Sequence, residues 1–470
     1  MGRMNVAWLR ASLYPGLRRL ERWQRFQHQG LTPLGRFVLG LGFAAAIFGI
    51  DPRLNQLYQL FTLALSLLLF AGLAAVVDGR WRRGQVSASR ELPRTASVGT
   101  PLDYRVRLHC RGRRTWRAWF LTERLPDPTP TRAQFRDSRQ GADAGDAWFD
   151  RLMGYPRWRR LLAANRAVRV GEPQAVDHLS VNQLTQVRLR LTPLRRGYLR
   201  LPGLWLTRPD PLGLVQVRVR VPREQSLLVL PRRYPAPRLS LPGRRQYQPG
   251  GWTLAGAVGD SQEFIGLREY RPGDSPRLIH WPSWARSGSP QVKEFQDEFF
   301  TRHALVLDTF AASVSLNAGD ARDASDATFE AAVSVAASLC DRIGDEDSLL
   351  DLLFVGAETY CFTGGRGLGG VGQFLEILAC AQPAAAGSVA QLEQALRGRI
   401  GQLSALVLVL LAFDAPRRKL VRTLARAGLP LRILVISTRD APALNAGWSG
   451  PPAQPIHPER IGEGLAQVVE

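Results

Sequence analysis

Two apolar stretches near the start of the chain constrain its fold more than any other feature. The first runs from about Leu31 to Ile50, with Arg36 near its start. The second runs from about Leu54 to Val77 and contains no charged residue. Crossing a hydrocarbon core of about 30 Å takes about 20 apolar residues in a helix. The second stretch meets that length. The cleanest part of the first, Phe37 to Ile50, is short, and a span there needs Arg36 to reach back to the interface. Asp51-Pro52-Arg53 between them is a turn sequence. The pattern predicts a transmembrane helical hairpin over 31–84. The competing reading is a pair of core helices in a soluble protein, and uncharged runs of this length argue against it.

Charge sets the orientation. Arg3, Arg10, Arg18, Arg19, Arg22, Arg25 and Arg36 precede or open the first span. Arg80, Arg82 and Arg83 follow the second, and the turn carries only Arg53 beside Asp51. Positively charged flanks stay inside, so both chain ends are expected in the cytoplasm of a bacterial inner membrane, as a multi-pass protein. A cleaved signal peptide is not expected, because the apolar part starts late and no A-x-A site follows it. The flank over 1–30 mixes Trp, Leu, Tyr and Phe with Arg between Trp8 and Gln29. It reads either as a helix lying on anionic lipid or as a plain solvated flank.

The net charge of +22 is unevenly placed. From His303 onward there are 13 Lys and Arg against 18 Asp and Glu; the preceding 302 residues carry 49 against 22. A basic half of this kind asks for an anionic neighbour, whether membrane, nucleic acid or acidic protein. Only Lys293 and Lys419 are lysines, so an Arg-favouring base composition accounts equally well for much of the excess. The cysteines, Cys110, Cys340, Cys361 and Cys380, show no CxxC spacing and no clustering with His, which leaves no metal or redox motif.

From about Val86 the hydrophobic period becomes two. Tyr104, Val106 and Leu108 alternate with arginines, as do Val187, Leu189 and Leu191; Val215 to Val221 alternate with Gln216, Arg218 and Arg220. Turn signals at Pro193–Gly197, Pro202-Gly203 and Pro209–Gly213 separate these strands. The pattern predicts a β-sandwich over 85–235, broken by an insertion over 126–177. A connector rich in Pro, Gly and Arg follows, within 236–302. From Ala304 on, apolar runs (Ala304–Leu307, Ser348–Val355, Ala405–Ala412, Leu431–Ser437) alternate with helical patterns (Phe329–Ile343, Gly372–Cys380, Val389–Leu396, Pro416–Ala427, Ile461–Val468). Over 303–470 this predicts a parallel sheet covered on both faces, with binding at the C-terminal ends of its strands, where Asp308 and Asp414 stand.

The densest motif lies between these parts. Gly259 to Phe299 contains Phe264, Gly266, Leu267, Arg268, Tyr270, Gly273, Asp274, Arg277, Ile279, Trp281, Ala285, Arg286 and Glu294. At these spacings the segment closely resembles the signature F-x-G-L-R-x-Y-x-x-G-D-x-x-R-x-I-x-W of the bacterial domain-of-unknown-function 58 (DUF58) family. The residues alone support three readings: an Arg–carboxylate network locking domains together, a docking surface in which Tyr270, Trp281 and Trp284 offer flat faces, or an anion site. His280 has no nucleophile beside it in the sequence pattern and reads as structural.

The resemblance implies a von Willebrand factor A-like α/β domain, which makes the expected fold an α+β multidomain chain of transmembrane hairpin, β-sandwich and α/β domain. It implies a MoxR-type AAA+ ATPase as partner and, in some relatives, a transglutaminase-like membrane protein. It implies no enzymatic activity. Domains of that type hold Mg²⁺ with D-x-S-x-S, a Thr and a later Asp. Here the run is Asp308-Thr309-Phe310-Ala311-Ala312, which keeps the Asp and loses both hydroxyls; Asp414 and Thr363 are the remaining candidates. That loss argues against a complete Mg²⁺ site, and no cofactor is expected. The function expected is a membrane-tethered adaptor in envelope-protein assembly or maturation. Binding of nucleic acid or an anionic polymer through the basic half is the alternative, although no zinc finger or RNP-like motif is present. No H-E-x-x-H, P-loop or G-x-S-x-G motif suggests an enzyme.

Overall fold

The computed structural model describes residues 2–48, 55–112, 115–137, 154–237, 263–296, 301–310, 322–343, 348–356, 358–365, 370–384 and 388–468. The chain forms two compact units that divide at Arg232 and Arg233.

The first unit opens with α1 (Gly2–Gly30), α2 (Pro33–Phe48) and α3 (Asn55–Trp81). Within α3, Tyr58 to Trp81 is long and apolar enough to cross a membrane. Only 17% of its apolar window is buried, whereas the core helix of a soluble protein is mostly buried. The apolar helix ahead of it, α2, has 16 residues and falls short of that length. The expectation of two spanning helices is thus met by one among the described residues, and the turn Asp51-Pro52-Arg53 lies outside them.

Among the described residues nine strands follow in two sheets. One has the order β1-β3-β7-β5: Val86–Glu91, Leu102–Cys110, Leu184–Pro193 and Val168–Val170. The other has the order β2-β9-β8-β4-β6: Thr95–Ser97, Gln216–Leu230, Gly197–Pro209, Trp116–Glu123 and Gln174–Leu179. The alternation read from sequence is the alternation of burial. Tyr104, Val106 and Leu108 join Leu201, Val217 and Val219 in one core shared by both sheets, while the arginines between them face outward. One ion pair ties the sheets through that core. Arg90 on β1 grips both oxygens of Glu123 on β4, at 2.8 and 2.9 Å, and the Tyr104 hydroxyl donates to the same carboxylate at 2.5 Å. Burial pushes the Glu123 carboxyl up, only partly offset by Arg90.

The insertion is shorter than expected. β5 and the first residues of β6 fall inside 126–177, so strand structure resumes at Val168. The break itself contains α4 (Arg132–Asp137) and α5 (Tyr155–Asn165). Phe135 of α4 and Trp158 of α5 are buried against Leu17 and Tyr14 of α1, and Arg25 of α1 pairs with Asp127 at 2.5 Å. Part of the aromatic content of α1 therefore serves protein packing.

The helices are braced on the sandwich. Thr32 N–H donates to the Leu214 carbonyl at 3.0 Å, and a Cβ on Gly35 would meet that carbonyl oxygen at 1.9 Å, so only glycine permits the approach. At the far end of α3, Asp78 accepts from Arg82 at 2.7 Å and Arg208 at 2.9 Å. The Arg82 guanidinium also lies over the buried rings of Trp116 and Trp119.

The second unit contains a six-stranded sheet of order β14-β13-β12-β15-β16-β17. β12 (Thr301–Leu307), β13 (Ser348–Val355), β15 (Ala405–Leu410), β16 (Leu431–Ile436) and β17 (Ala453–Ile456) are parallel; β14 (Thr359–Gly364) is an antiparallel edge. Ala304, Val306, Leu406, Leu408 and Leu410 pack with residues of α9 (Val389–Arg397) and α10 (Ala415–Arg426). Their alternates Leu305, Leu307, Val407 and Val409 are buried as well, so both faces are covered. α7 (Arg322–Ile343), α11 (Ala441–Leu444) and α12 (Ile461–Ala466) complete the unit, together with the first half of α8 (Val371–Cys380), whose residues from Glu376 belong to the first unit, and with a short helix and a hairpin described below. Most of the connector lies outside the described residues.

Candidate functional site

The signature folds as a hairpin. β10 (Glu263–Glu269) pairs antiparallel with β11 (Gln291–Gln296), and a shift of register between Phe264 and Gly266 marks a bulge. The segment between the strands returns to β11: Tyr270 N–H donates to the Pro290 carbonyl and His280 N–H to that of Gln291, at 2.9 and 2.8 Å, and Ile279 forms a bridge with Val292. Arg-Pro-Gly-Asp makes the turn that starts this segment, with Gly273 in the left-handed region at φ 109°. Arg268 locks the turn by binding both oxygens of Asp274 at 2.8 and 2.7 Å; Asp274 also accepts the Arg271 N–H at 2.8 Å. The Arg268 bonds, with that of the Arg271 N–H, hold the Asp274 carboxyl down at about 2. This Arg–carboxylate pair closes the hairpin on itself.

Several signature residues face outward. Leu267 and Tyr270 are exposed, and Trp281, 61% exposed, stacks on Trp284 at 5.3 Å within α6 (Trp281–Ser287). Arg271, Arg277 and Arg286 are exposed, and among the described residues none of them has an ion pair. Ala285 lies between Trp284 and Arg286 on the same helix; Phe264 and Glu294 lie in the paired strands. His280 is less isolated than its sequence context suggested. Its Nδ1 lies 2.7 Å from the Ser283 hydroxyl, across the first turn of α6. Among the described residues no carboxylate orients the other ring nitrogen, so the pair lacks the third member of a triad.

The sheet reverses direction of growth between β12 and β15, and Asp308 and Asp414 follow those strands at their C-terminal ends, where ligands of such sheets bind. The place between them is filled. Arg417, fully buried, donates through Nε to Asp308 at 2.5 Å, through Nη1 to Asp414 at 2.7 Å and through Nη2 to the Phe310 carbonyl at 3.1 Å. Burial alone would lower the guanidinium's pKa; Asp308, then Asp414, outweigh it and the net direction is up. Asp308 also accepts the N–H groups of Phe310 and Leu411, both at 3.0 Å. Its Oδ2 thus accepts two donors and its Oδ1 a third. The arrangement does not fit a divalent cation, which needs those oxygens free. Thr363 is not near them: it bonds Asp351 at 2.6 Å, beside Arg302 at the start of β12, the opposite end of the sheet. No group of three or more metal-ligating side chains occurs among the described residues.

One protein-family model matches this part of the chain, from the bulge glycine of the hairpin to the end of α11. Residues 266–444 match the family described as "Protein of unknown function DUF58". The DUF58 segment thus holds both the outward face of the hairpin and the Asp308–Arg417–Asp414 cluster, and leaves the N-terminal helices and the sandwich outside the match. No curated protein matches the chain. Among solved structures, proximal thread matrix protein 1 from the mussel byssus is similar at 10% identity, over 30% of this chain and 36% of that one, with a TM-score of 0.22. The cohesin module of a Clostridium perfringens family 33 glycoside hydrolase is similar at 11% identity, over 31% and 96%, with a TM-score of 0.14. At such values neither likeness carries an argument.

Arg417 is the DUF58-segment residue that sequence reasoning missed. A signal for it existed. Asp414 caps α10 and Arg417 stands in its first turn, where the helix dipole disfavours a cation. An arginine there needs anionic partners, and Asp308 supplies one from 109 positions away.

Proposed function

We propose that this protein is a membrane-associated docking module. In this reading α3 and the shorter α2 both cross the bilayer as a hairpin, so that both chain ends lie on the cytoplasmic side of a bacterial inner membrane. The DUF58 hairpin then meets a protein partner. The partner that the resemblance implies is a MoxR-type AAA+ ATPase, acting in assembly or maturation of envelope proteins.

The observation that carries the reading is the outward face of the hairpin: Leu267, Tyr270 and Trp281 exposed beside three arginines that have no ion pair among the described residues. Tyr, Trp and Arg dominate the energetics of protein interfaces because each combines a large flat area with a polar end. The membrane part is supported by α3, whose apolar residues are mostly uncovered by protein. An exposed apolar surface of this size needs a cover, and lipid supplies it at no cost in desolvated backbone. No observation among the described residues favours nucleic acid over a protein partner.

The reading is tested by measuring binding of a purified MoxR-type ATPase to the full-length protein in mild detergent. Trp281→Ala combined with Arg277→Ala is expected to weaken binding by at least about tenfold, with the unfolding midpoint unchanged. EDTA is expected to leave binding intact, since Arg417 occupies the cation position. Wild-type affinity in the double variant would contradict the reading.

A further inference from the structure

A groove of about 940 Å³ runs along α3 within the first unit. Its α3 side is one helical face: Leu65, Leu68, Leu69, Gly72, Leu73, Val76, then Gly79, Arg80 and Arg83. The opposite walls are Trp23 and Phe26 at the end of α1, and Trp205, Arg218 and Arg220 on β8 and β9. Two properties distinguish it from an ordinary packing defect. The floor is apolar and open: a Cβ on Gly72 would meet nothing within 4 Å, whereas Gly79 brings the helix against the Arg218 carbonyl oxygen, 3.0 Å from where its Cβ would be. The groove is therefore wide at Gly72 and pinched at Gly79.

The second property is charge. Four arginines line the wall and no Asp or Glu does. Arg218 lies 4.6 Å over the Trp205 ring, and its single side-chain hydrogen bond among the described residues is to neutral Gln29, at 3.4 Å. The Nε atoms of Arg218 and Arg220 are buried with no partner. Burial shifts the Arg218 pKa downward, the direction expected of a cation short of its anion. By contrast, Arg82 and Arg208, just outside the groove, share Asp78. The cations are thus clustered at the end of α3 where Arg80 and Arg83 stand, and the apolar floor extends away from them. From Leu65 to Arg83 the face is roughly 27 Å long at the helical rise. One leaflet is half of a hydrocarbon core of about 30 Å, so the floor reaches through it.

We propose that this groove binds one anionic phospholipid, with its phosphate among Arg80, Arg83, Arg218 and Arg220 and an acyl chain against Leu65, Leu69 and Leu73. The inference rests on the membrane reading given above. An arginine cluster suits a phosphate because guanidinium donors bind its oxygens in pairs. A zwitterionic lipid brings its own cation to the same place and gains less. The site would fasten the sandwich to the bilayer at the point where α3 leaves it.

The test is native mass spectrometry of the full-length protein released from neutral detergent after incubation with phosphatidylglycerol or phosphatidylcholine. Phosphatidylglycerol is expected to be retained about tenfold more than phosphatidylcholine. Arg80→Gln with Arg83→Gln, both exposed, should bring the two lipids close to parity without disturbing the fold; Arg218→Gln with Arg220→Gln should do the same. Gly72→Leu should reduce retention of both lipids by filling the floor. Glycerol phosphate should not displace the lipid, which separates a lipid site from a free phosphate site. Equal retention of the two lipids by the wild type, or an unchanged preference in both arginine pairs, would overturn the proposal. Flotation with phosphatidylcholine liposomes is the control for the membrane reading. A protein that floats without preferring the anionic lipid sinks the site alone, and one that does not float sinks the membrane reading.

Discussion

β15 and the stretch of α3 from Tyr58 to Val77 are both apolar runs without charge, and they have opposite fates. Every residue of β15 is buried, under helices of the same unit. Along α3, Leu63, Leu69, Phe70, Leu73 and Val77 are each more than half exposed. The charges follow suit: Arg417 lies buried between two carboxylates beside β15, while Arg80 and Arg83 at the end of α3 have solvent access. Apolar sequence alone does not say what will cover it. The second unit brings its own cover, and in the membrane reading proposed above α3 leaves that task to lipid.

The largest effect that sharpens this contrast is at Arg417. Arg417→Ala strands Asp308 and Asp414 and should cost about 3–5 kcal/mol of stability, read as a loss of unfolding midpoint in denaturant. Arg80→Ala should be silent in the same assay. Next, Leu408→Ala should cost about 2–5 kcal/mol, through lost transfer energy plus the cavity left in a close-packed core. Leu69→Ala in detergent should cost under about 0.5 kcal/mol. If the two leucines cost the same, α3 is packed against protein and the contrast breaks. A smaller effect separates the hairpin from both regions. Because the Asp274 carboxyl is held at about 2, below its ordinary value of 3.8, its contribution to hairpin closure is present above about pH 4 and is lost as pH falls toward 2. Trp281 fluorescence should report that change, and Asp274→Asn should abolish the pH dependence.

Much of the fold was legible because burial imposes period. The sandwich strands with regular alternation, such as 104–108 and 187–191, and the continuous run at 405–410 coincide with observed strands. Pro202-Gly203, read as a turn between strands, is a bulge inside β8, and β4 escaped although Trp116, Trp119 and Leu121 are buried; the other elements that escaped are those on which burial acts weakly. β5 and β6 are the edges of their sheets and were absorbed into the insertion; β14 and β17 are edges of the third, and β17 carries Pro455. In the candidate site, the motif marked the hairpin, but the pairing of Arg268 with Asp274 needed the turn geometry. The Asp308–Arg417 pair depends on a sheet crossover that no local pattern encodes. The His280–Ser283 contact spans one helical turn and was missed, because His280 was read as having no nucleophile beside it.

The claim on which the rest stands is that lipid covers α3. Alkaline carbonate washing of membranes from cells expressing the full-length chain tests it directly. The account predicts that the protein stays in the membrane pellet and that removal of residues 1–84 releases it. Recovery of the intact chain in the supernatant, folded and free of detergent, would contradict it.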